Sequence, residues 1–349
     1  MTMSSLRRLA RKARRIARRP VPVTPKPPGE PTLKSALMEE AALARGYGVT
    51  RLDARIILVE APDRVIPFQD MNGPESSVVG RRLCDHKFYA RQLLAANGLH
   101  VVASILAWSV REARQFVKRV GYPVVVKPVD LARGKGVTTD VASDRSLRAA
   151  LVHARLGRKP VVVERQFEGD DFRFFVIGDR VFSATSRVRA NVVGDGVSSV
   201  KSLIERKNGL RRQNRYLEGY LIPLEIAELT ALRRAGKSLA YVPGAGERVH
   251  LRDQSNLSAG GDSIDVTDAC HPSFKEVAVR SVSAIPGMTY AGVDILARSI
   301  REEATAENHV VGEVEYSPAP IANFPVMGSP RDMAAAILEY YEGRIRASG

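Results

Sequence analysis

Residues 124–141 read VVVKPVDLARGKGVTTDV, and the interpretation of the chain turns on this stretch. Val124, Val125 and Val126 form a short β-branched run between prolines, the pattern of a buried core strand. Lys127 closes that strand. The loop Arg133-Gly134-Lys135-Gly136-Val137 follows within ten residues. Backbone N–H groups of such a loop can wrap a polyphosphate while Lys127 and Lys135 neutralise its charge. A plain β-turn with solvated charges fits the same residues, so one lysine and two glycines alone do not choose between the two.

Working outward, the spacing predicts a helix over Thr32–Arg45 ending at Gly46, then two or three short strands to about Val65. A second helix is predicted over Asp85–Asn97, with Gly98 as its C-terminal cap. Ser109-Val110-Arg111-Glu112 reads as a capping box opening a third helix that closes at Gly121. A helix near Ser146–Leu156 and the strand Val161–Glu164 follow. Val176–Ser183 reads as a hairpin strand turning at Gly178-Asp179. Helices are predicted around Val200–Lys207, Leu224–Arg234 and Pro272–Ile285, with short strands near Ala240 and Val249. Strands at Tyr290–Ala297 and Val310–Tyr316 precede a terminal helix capped by Ser329-Pro330-Arg331-Asp332. Helices and strands alternate without a clean βαβ period, which favours α+β lobes over one doubly wound sheet.

The acidic residues that matter lie on the last two strands. Asp294 sits in Gly292-Val293-Asp294-Ile295, and Glu313 and Glu315 sit in Gly312-Glu313-Val314-Glu315-Tyr316. Residues two apart on a strand share a face, so Glu313 and Glu315 converge, and Asp294 can face them from a neighbouring strand. Three clustered carboxylates repel unless a cation holds them, and hard oxygen ligands suit Mg2+ shared with substrate phosphates. A solvated acidic strand face is the alternative, and the apolar flanks Val293, Ile295, Val311 and Val314 weigh against it.

Several chemistries are excluded. No GxxxxGK[ST], GxSxG or HExxH occurs, and the six histidines are scattered, so no P-loop, nucleophile elbow or histidine-based zinc site is expected. Two cysteines, Cys84 and Cys270, in 349 residues cannot staple the chain and suit a reducing, cytoplasmic setting. With 44% hydrophobic and 26% charged residues and no membrane-length apolar run, a protein of two or three packed subdomains is expected. The net charge of +15 is concentrated. Residues 1–29 hold nine Arg and Lys and no acid, leaving +6 on the other 320. Leu6, Leu9, Ala10, Ala13, Ile16 and Ala17 fall at helical spacing among those arginines. The tail therefore reads as a basic amphipathic helix for an anionic surface, nucleic acid or partner, as a targeting peptide, or as a solvated arm.

Six stretches, VVVKPVDLARGKGVTTDV, VVVERQFEGDDFRFFVIGDRVFSATSRV, NVVGDGVSSVKSLIERKN, NLSAGGDSIDVTDACHP, YAGVDIL and GEVEYSPAP, occur in an order that resembles the ATP-grasp superfamily. Within it they resemble the ATP-grasp part of cyanophycin synthetase and of the fused glutathione synthetases, over roughly residues 80–345. The resemblance implies two α+β lobes gripping ATP, with a smaller N-terminal α/β lobe. In residue terms it implies a tail over 1–29, an N-terminal lobe over 30–82 and connecting helices over 83–120. A lid over 121–168 and a C-terminal lobe over 169–349 complete the expected division. The implied activity joins a carboxylate to an amine through an acyl phosphate, releasing ADP and phosphate. A small-molecule kinase or carboxylate–thiol ligase on the same scaffold, or a non-catalytic nucleotide-binding scaffold, are the alternatives.

By the same resemblance, Lys87 and Lys127 are the phosphate-binding lysines, and Arg133, Gly134, Lys135, Gly136 and Val137 form the loop over the triphosphate. Glu164 is implied as the hinge acid beside the adenine, with Arg165, Gln166 and Phe167 as the hinge, and Asp171 as the ribose-binding acid. Arg173 and Arg187, with Lys135, are implied near the transferred phosphate or the carboxylate substrate. Asp294, Glu313 and Glu315 are implied as ligands of Mg2+, with Mn2+ as a second candidate. A homo-oligomer is also expected. Three departures stand out: Glu315 where the family usually has Asn, His86 where it has Asp, and Arg189 where it has Pro. The Mur-ligase-like module of cyanophycin synthetase is not in this sequence, so its two-amino-acid cycle is not expected of this chain alone. Arg211-Arg212-Gln213-Asn214-Arg215 reads either as a second carboxylate site or as solvated charge.

Overall fold

The computed structural model describes residues 29–129, 136–154, 159–252, 255 and 257–348. The basic tail before residue 29 and the loop residues Arg133, Gly134 and Lys135 lie outside the described residues.

The chain opens with α1 (Leu33–Ala44), capped by the Thr32 hydroxyl, which accepts from the Ser35 N–H. An antiparallel meander follows, of β1 (Gly48–Arg51), β2 (Ile56–Ala61) and β3 (Arg64–Gln69). The single helix expected from Asp85 is two: α2 (Val78–Asp85) and α3 (Lys87–Ala96). His86 divides them because its ring Nδ1 accepts from the Tyr89 N–H, making it the N-cap of α3.

Next come β4 (Ser104–Ala107), α4 (Val110–Val120), β5 (Val124–Pro128), β6 (Thr138–Val141), α5 (Asp144–His153) and β7 (Val161–Arg165). They form an antiparallel four-stranded sheet, ordered β4-β7-β5-β6. The α4 cap differs slightly from expectation: Ser109 accepts from the Glu112 N–H, but the Glu112 carboxylate accepts from Trp108 rather than Ser109. Ala107, Phe116 and Val117 share one core with Val124, Val126, Leu147 and Val163. Residues 104–120, expected among the connecting helices, thus pack with this four-stranded sheet, the expected lid, because their apolar side is the second layer the small sheet needs.

The central sheet is built from β8 (Asp170–Ile177) and β9 (Arg180–Val188), joined by the expected turn at Gly178. A side unit of β10 (Asn191–Val193), α6 (Val200–Arg212), α7 (Ile226–Arg234) and β11 (Arg248–His250) follows. Ala240, expected near a strand, lies in a turn instead. After β12 (Asp262–Asp265), α8 (Pro272–Ser283), β13 (Tyr290–Ala297) and β14 (His309–Glu315), the chain closes with α9 (Met333–Ser348). The N-cap of α9 is Asp332, whose carboxylate accepts from the Ala335 N–H, so Ser329 and Pro330 stay outside the helix. An acidic side chain next to the first turn competes well for the free N–H groups there.

The central sheet runs β12-β9-β8-β13-β14, with every neighbouring pair antiparallel. Its two faces differ. Phe172, Phe174, Val293 and Ile295 pack under α3 and α8. On the opposite face Phe175, Ile177 and Tyr290 are covered by α1, the first meander and α9. Further along that same face, where the strand period places Asp171, Arg173 and Asp294, the side chains become charged.

Candidate active site

The lid sheet also has a dry face and a charged one. Val124 and Val126 point to its helices, so Lys127 on β5 points the other way, as does Glu164 on the neighbouring β7. Lys127 Nζ donates to Glu164 at 2.8 Å, and both are largely buried. Burial lowers the Lys127 pKa, against the pull of Glu164. Burial pushes Glu164 upward, but Lys127 and Arg91 outweigh it and hold the carboxylate below its usual range.

Helix α3 connects this pair to the central sheet. Lys87 and Arg91 stand four residues apart, hence on one helix face. Lys87 reaches Glu313 at 3.4 Å. Arg91 pairs with Glu164 and donates to the Gly312 carbonyl at 3.3 Å. Arg91 was not expected from the motifs; its spacing from Lys87 is the signal that points to it.

On the central sheet, register sets the charged row. Arg173 on β8 lies opposite Asp294 on β13, which lies opposite Glu313 on β14. Asp171 lies opposite Arg187 on β9. Both Asp294 oxygens are committed: Oδ1 to Arg173 Nε, and Oδ2 to Arg173 at 2.8 Å and Arg187 at 2.6 Å. Burial opposes the charge on Asp294, but Arg173 and Arg187 keep its pKa low. Arg187 also holds Asp171 at 2.7 Å, and the Ser255 hydroxyl donates to the other Asp171 oxygen. Burial raises the Asp171 pKa against that pairing. Asp171, expected to bind a ribose, is thus held between Arg187 and Ser255.

Glu313 and Glu315 both remain partly exposed, at 34% and 38%. Glu315 lies 3.4 Å from Arg173, and burial raises its pKa. Gly292 leaves room for this arrangement: a Cβ there would come within 2.9 Å of Pro318 and 3.0 Å of the Arg173 side chain.

The expected three-carboxylate metal cradle is not assembled. Among the described residues no three His, Cys, Asp or Glu side chains are grouped to hold a metal. The reason is electrostatic: two guanidinium groups already neutralise Asp294. Glu313 and Glu315, two hard carboxylates on one strand facing solvent, do suit a divalent cation of the kind that takes one or two carboxylates and completes its shell with phosphates.

The segment linking the sheets is held through its backbone. The Arg165 and Gln166 N–H groups donate to Ala103 and Pro123 carbonyls at 2.9 and 3.1 Å. The Gln166 side chain is spent on Asp140, and Phe167 lies under the Arg298 guanidinium. Of the expected phosphate loop, Gly136 and Val137 are described. Gly136 has φ +71°, and a Cβ there would stand 2.7 Å from the Pro128 ring, so the end of the loop folds back onto β5.

Arg211 is neither solvated nor free for a substrate carboxylate. It donates to the carbonyls of Tyr220, Gly260 and Gly261 at 2.7–2.9 Å and to Asp262 at 2.6 Å. It thereby fastens the 257–262 segment to α6, with Lys207 on the other Asp262 oxygen. Arg215 pairs with Glu40 at 2.5 Å. Arg211→Ala is expected to lower stability by about 3 kcal/mol, since Asp262 and three carbonyls lose a buried partner. A urea unfolding midpoint within error of wild type would contradict this role.

No helix among the described residues is long and apolar enough to cross a membrane. Residues 84–212 match the RimK-like ATP-grasp domain. The chain is 30% identical over 325 residues to the glutathione biosynthesis bifunctional protein GshAB of Clostridium perfringens, covering 84% of this chain and 41% of that protein. It is 32% identical over 269 residues to a cyanophycin synthetase of a Nostoc species, covering 76% of this chain and 30% of that one. The crystal structure of a bifunctional glutathione synthetase from Pasteurella multocida superposes with a TM-score of 0.68 at 28% identity, over 89% of this chain and 44% of the other. The chain thus spans less than half the length of these relatives. With residues 84–212 matching that domain and most of its length shared with these relatives, the chain contains a RimK-like ATP-grasp domain.

Proposed function

We propose that this protein is an ATP-dependent ligase that joins the carboxylate of a small amino-acid or peptide-like substrate to an amine, through an acyl phosphate, releasing ADP and phosphate. One observation supports it above the rest: α3 links the charged faces of two sheets into one site, its Lys87 pairing with Glu313 on one sheet and its Arg91 with the Glu164 that holds Lys127 on the other. The named activities of the relatives, glutathione biosynthesis and cyanophycin synthesis, agree with an amide-forming reaction.

The chemistry follows from charge. A carboxylate is a poor electrophile, so its oxygen first attacks the γ-phosphate of ATP. Lys87 and Lys127 are positioned to offset phosphate charge in a transition state that needs placement more than covalent help. Glu313 and Glu315 would hold Mg2+, which supplies further neutralisation of the nucleotide. Attack of the amine on the acyl phosphate then develops negative charge on the carbonyl oxygen. Arg187, with Arg173 behind it, is the preorganised cation on the central sheet nearest in kind to that need. Their shared Asp294 prevents either guanidinium from swinging away.

The test is ATP turnover with Mg2+ and pooled amino acids, dipeptides and other carboxylates, using hydroxylamine as a surrogate amine. Hydroxamate formed together with ADP and phosphate is expected. ADP with a phosphorylated product and no hydroxamate would replace the ligase reading with a kinase.

A further inference from the structure

The N-terminal lobe looks like a packing element: Leu37 and Met38 of α1 fill the core over Phe175 and Tyr290. One residue of that helix does something packing does not require. Lys34 extends from α1 to the far end of β14, where its ammonium donates to the Ser317 carbonyl at 2.6 Å and to the Ser317 hydroxyl at 2.9 Å. Ser317 is two residues beyond Glu315 and 283 residues from Lys34. Fixing a lysine side chain costs rotamer freedom, and its charge is desolvated as well. A methionine would fill the same space without the desolvation.

The electrostatic surroundings suggest what the charge is for. Among carboxylates, Glu315 acts most strongly on Lys34, with Asp70 second. Lys34 in turn is among the charges that act on Glu315. Glu313 and Asp294 crowd Glu315 with like charge. Its only described ion pair is the 3.4 Å contact with Arg173, which Asp294 already engages. The strand end itself is gripped from two sides, by Lys34 at Ser317 and by the close seating of Pro318 over Gly292.

We propose that Lys34 is a positioning residue of the ligase site, its ammonium offsetting the negative charge of Glu315 and fixing the strand end that carries Glu313 and Glu315. This rests on the proposed function for the identity of the site. The N-terminal lobe then sets the strength with which the acidic strand attracts a divalent cation.

The sign of the effect separates charge balance from simple bracing. Removing a positive charge beside two carboxylates strengthens their attraction for a cation, whereas loosening a brace weakens it. The measurement is the Mn2+ concentration giving half-maximal ADP binding, by calorimetry on the full chain. Lys34→Gln, which keeps a donor for Ser317 but no charge, is expected to lower that concentration by about threefold or more. Lys34→Arg is expected to leave it near wild type. Adding Glu315→Gln to Lys34→Gln is expected to return it toward the wild-type value. An unchanged or raised Mn2+ requirement in Lys34→Gln would overturn the proposal, as would failure of Glu315→Gln to reverse the shift. If Lys34→Gln does not fold, Lys34→Met with the same readout decides. Wild-type chain that binds ADP with Mn2+ yet forms no hydroxamate would refute the ligase reading and leave this test standing. No metal-dependent ADP binding by wild type would overturn both.

Discussion

Lys127→Met is expected to reduce ATP-dependent hydroxamate formation by more than about 10²-fold, the scale seen when one preorganised charge is withdrawn from a reacting centre. The side chain is firmly held. Its carbon stem lies on β5, its ammonium is fixed by Glu164 at 2.8 Å, and Glu164 is fixed in turn by Arg91. Methionine fills the stem's volume, and Glu164 keeps Arg91, so the protein should still fold. Circular dichroism and the urea midpoint check that, and initial rates of hydroxamate and ADP check the loss. Rates within a few-fold of wild type would remove Lys127 from the reaction and with it the assignment of this face of the lid to phosphate.

Asp294→Ala is expected to cost about 3–5 kcal/mol of stability, because breaking a buried pair leaves its partners charged and unmatched. Here two guanidinium groups lose that partner at once. Arg187 retains Asp171 at 2.7 Å, and Arg173 retains only the longer 3.4 Å contact with Glu315. The same depressed pKa gives a pH dependence with a definite sign. Asp294 contributes stability that is present above the carboxylate's unfolded pKa, near 4, and is lost as pH falls below it. Urea unfolding between pH 7 and 3 should therefore show a steeper acid limb in wild type than in Asp294→Asn. Equal limbs would mean that the Arg173 and Arg187 contacts do not hold the native carboxylate charged.

Much of this was legible in the chain itself, and particular residues show why. The triple valines before Lys127, the nearly continuous apolar run through Tyr290–Ala297 and the two-residue spacing of Glu313 and Glu315 are local patterns with a local physical meaning. They gave the strands and the faces of the strands correctly. The boundary errors were also local, but came from competition between neighbouring caps. His86 and Asp332 took the N-cap positions that sequence alone assigned elsewhere, since several polar side chains near a helix start can each reach the free N–H groups. Arg91 is not legible in the sequence, because a single arginine inside a helix carries no motif.

The sequence by itself determined the strands that carry Lys127, Glu164, Asp294, Glu313 and Glu315, the kinship with ATP-grasp proteins, and which of these charged residues face the same way. Strand period and motif order are properties of neighbours along the chain, so they survive in one dimension. Tertiary structure alone decided how the charges pair. Whether Asp294 faces a metal or two arginines depends on the register of β8, β9, β13 and β14. Whether Arg211 binds a substrate or a loop depends on Gly260 and Gly261, some 50 residues away. Lys34 meets Ser317 only because α1 packs across the central sheet. A buried ion pair is set by distance and desolvation, and both come into being only when segments far apart in sequence are packed together.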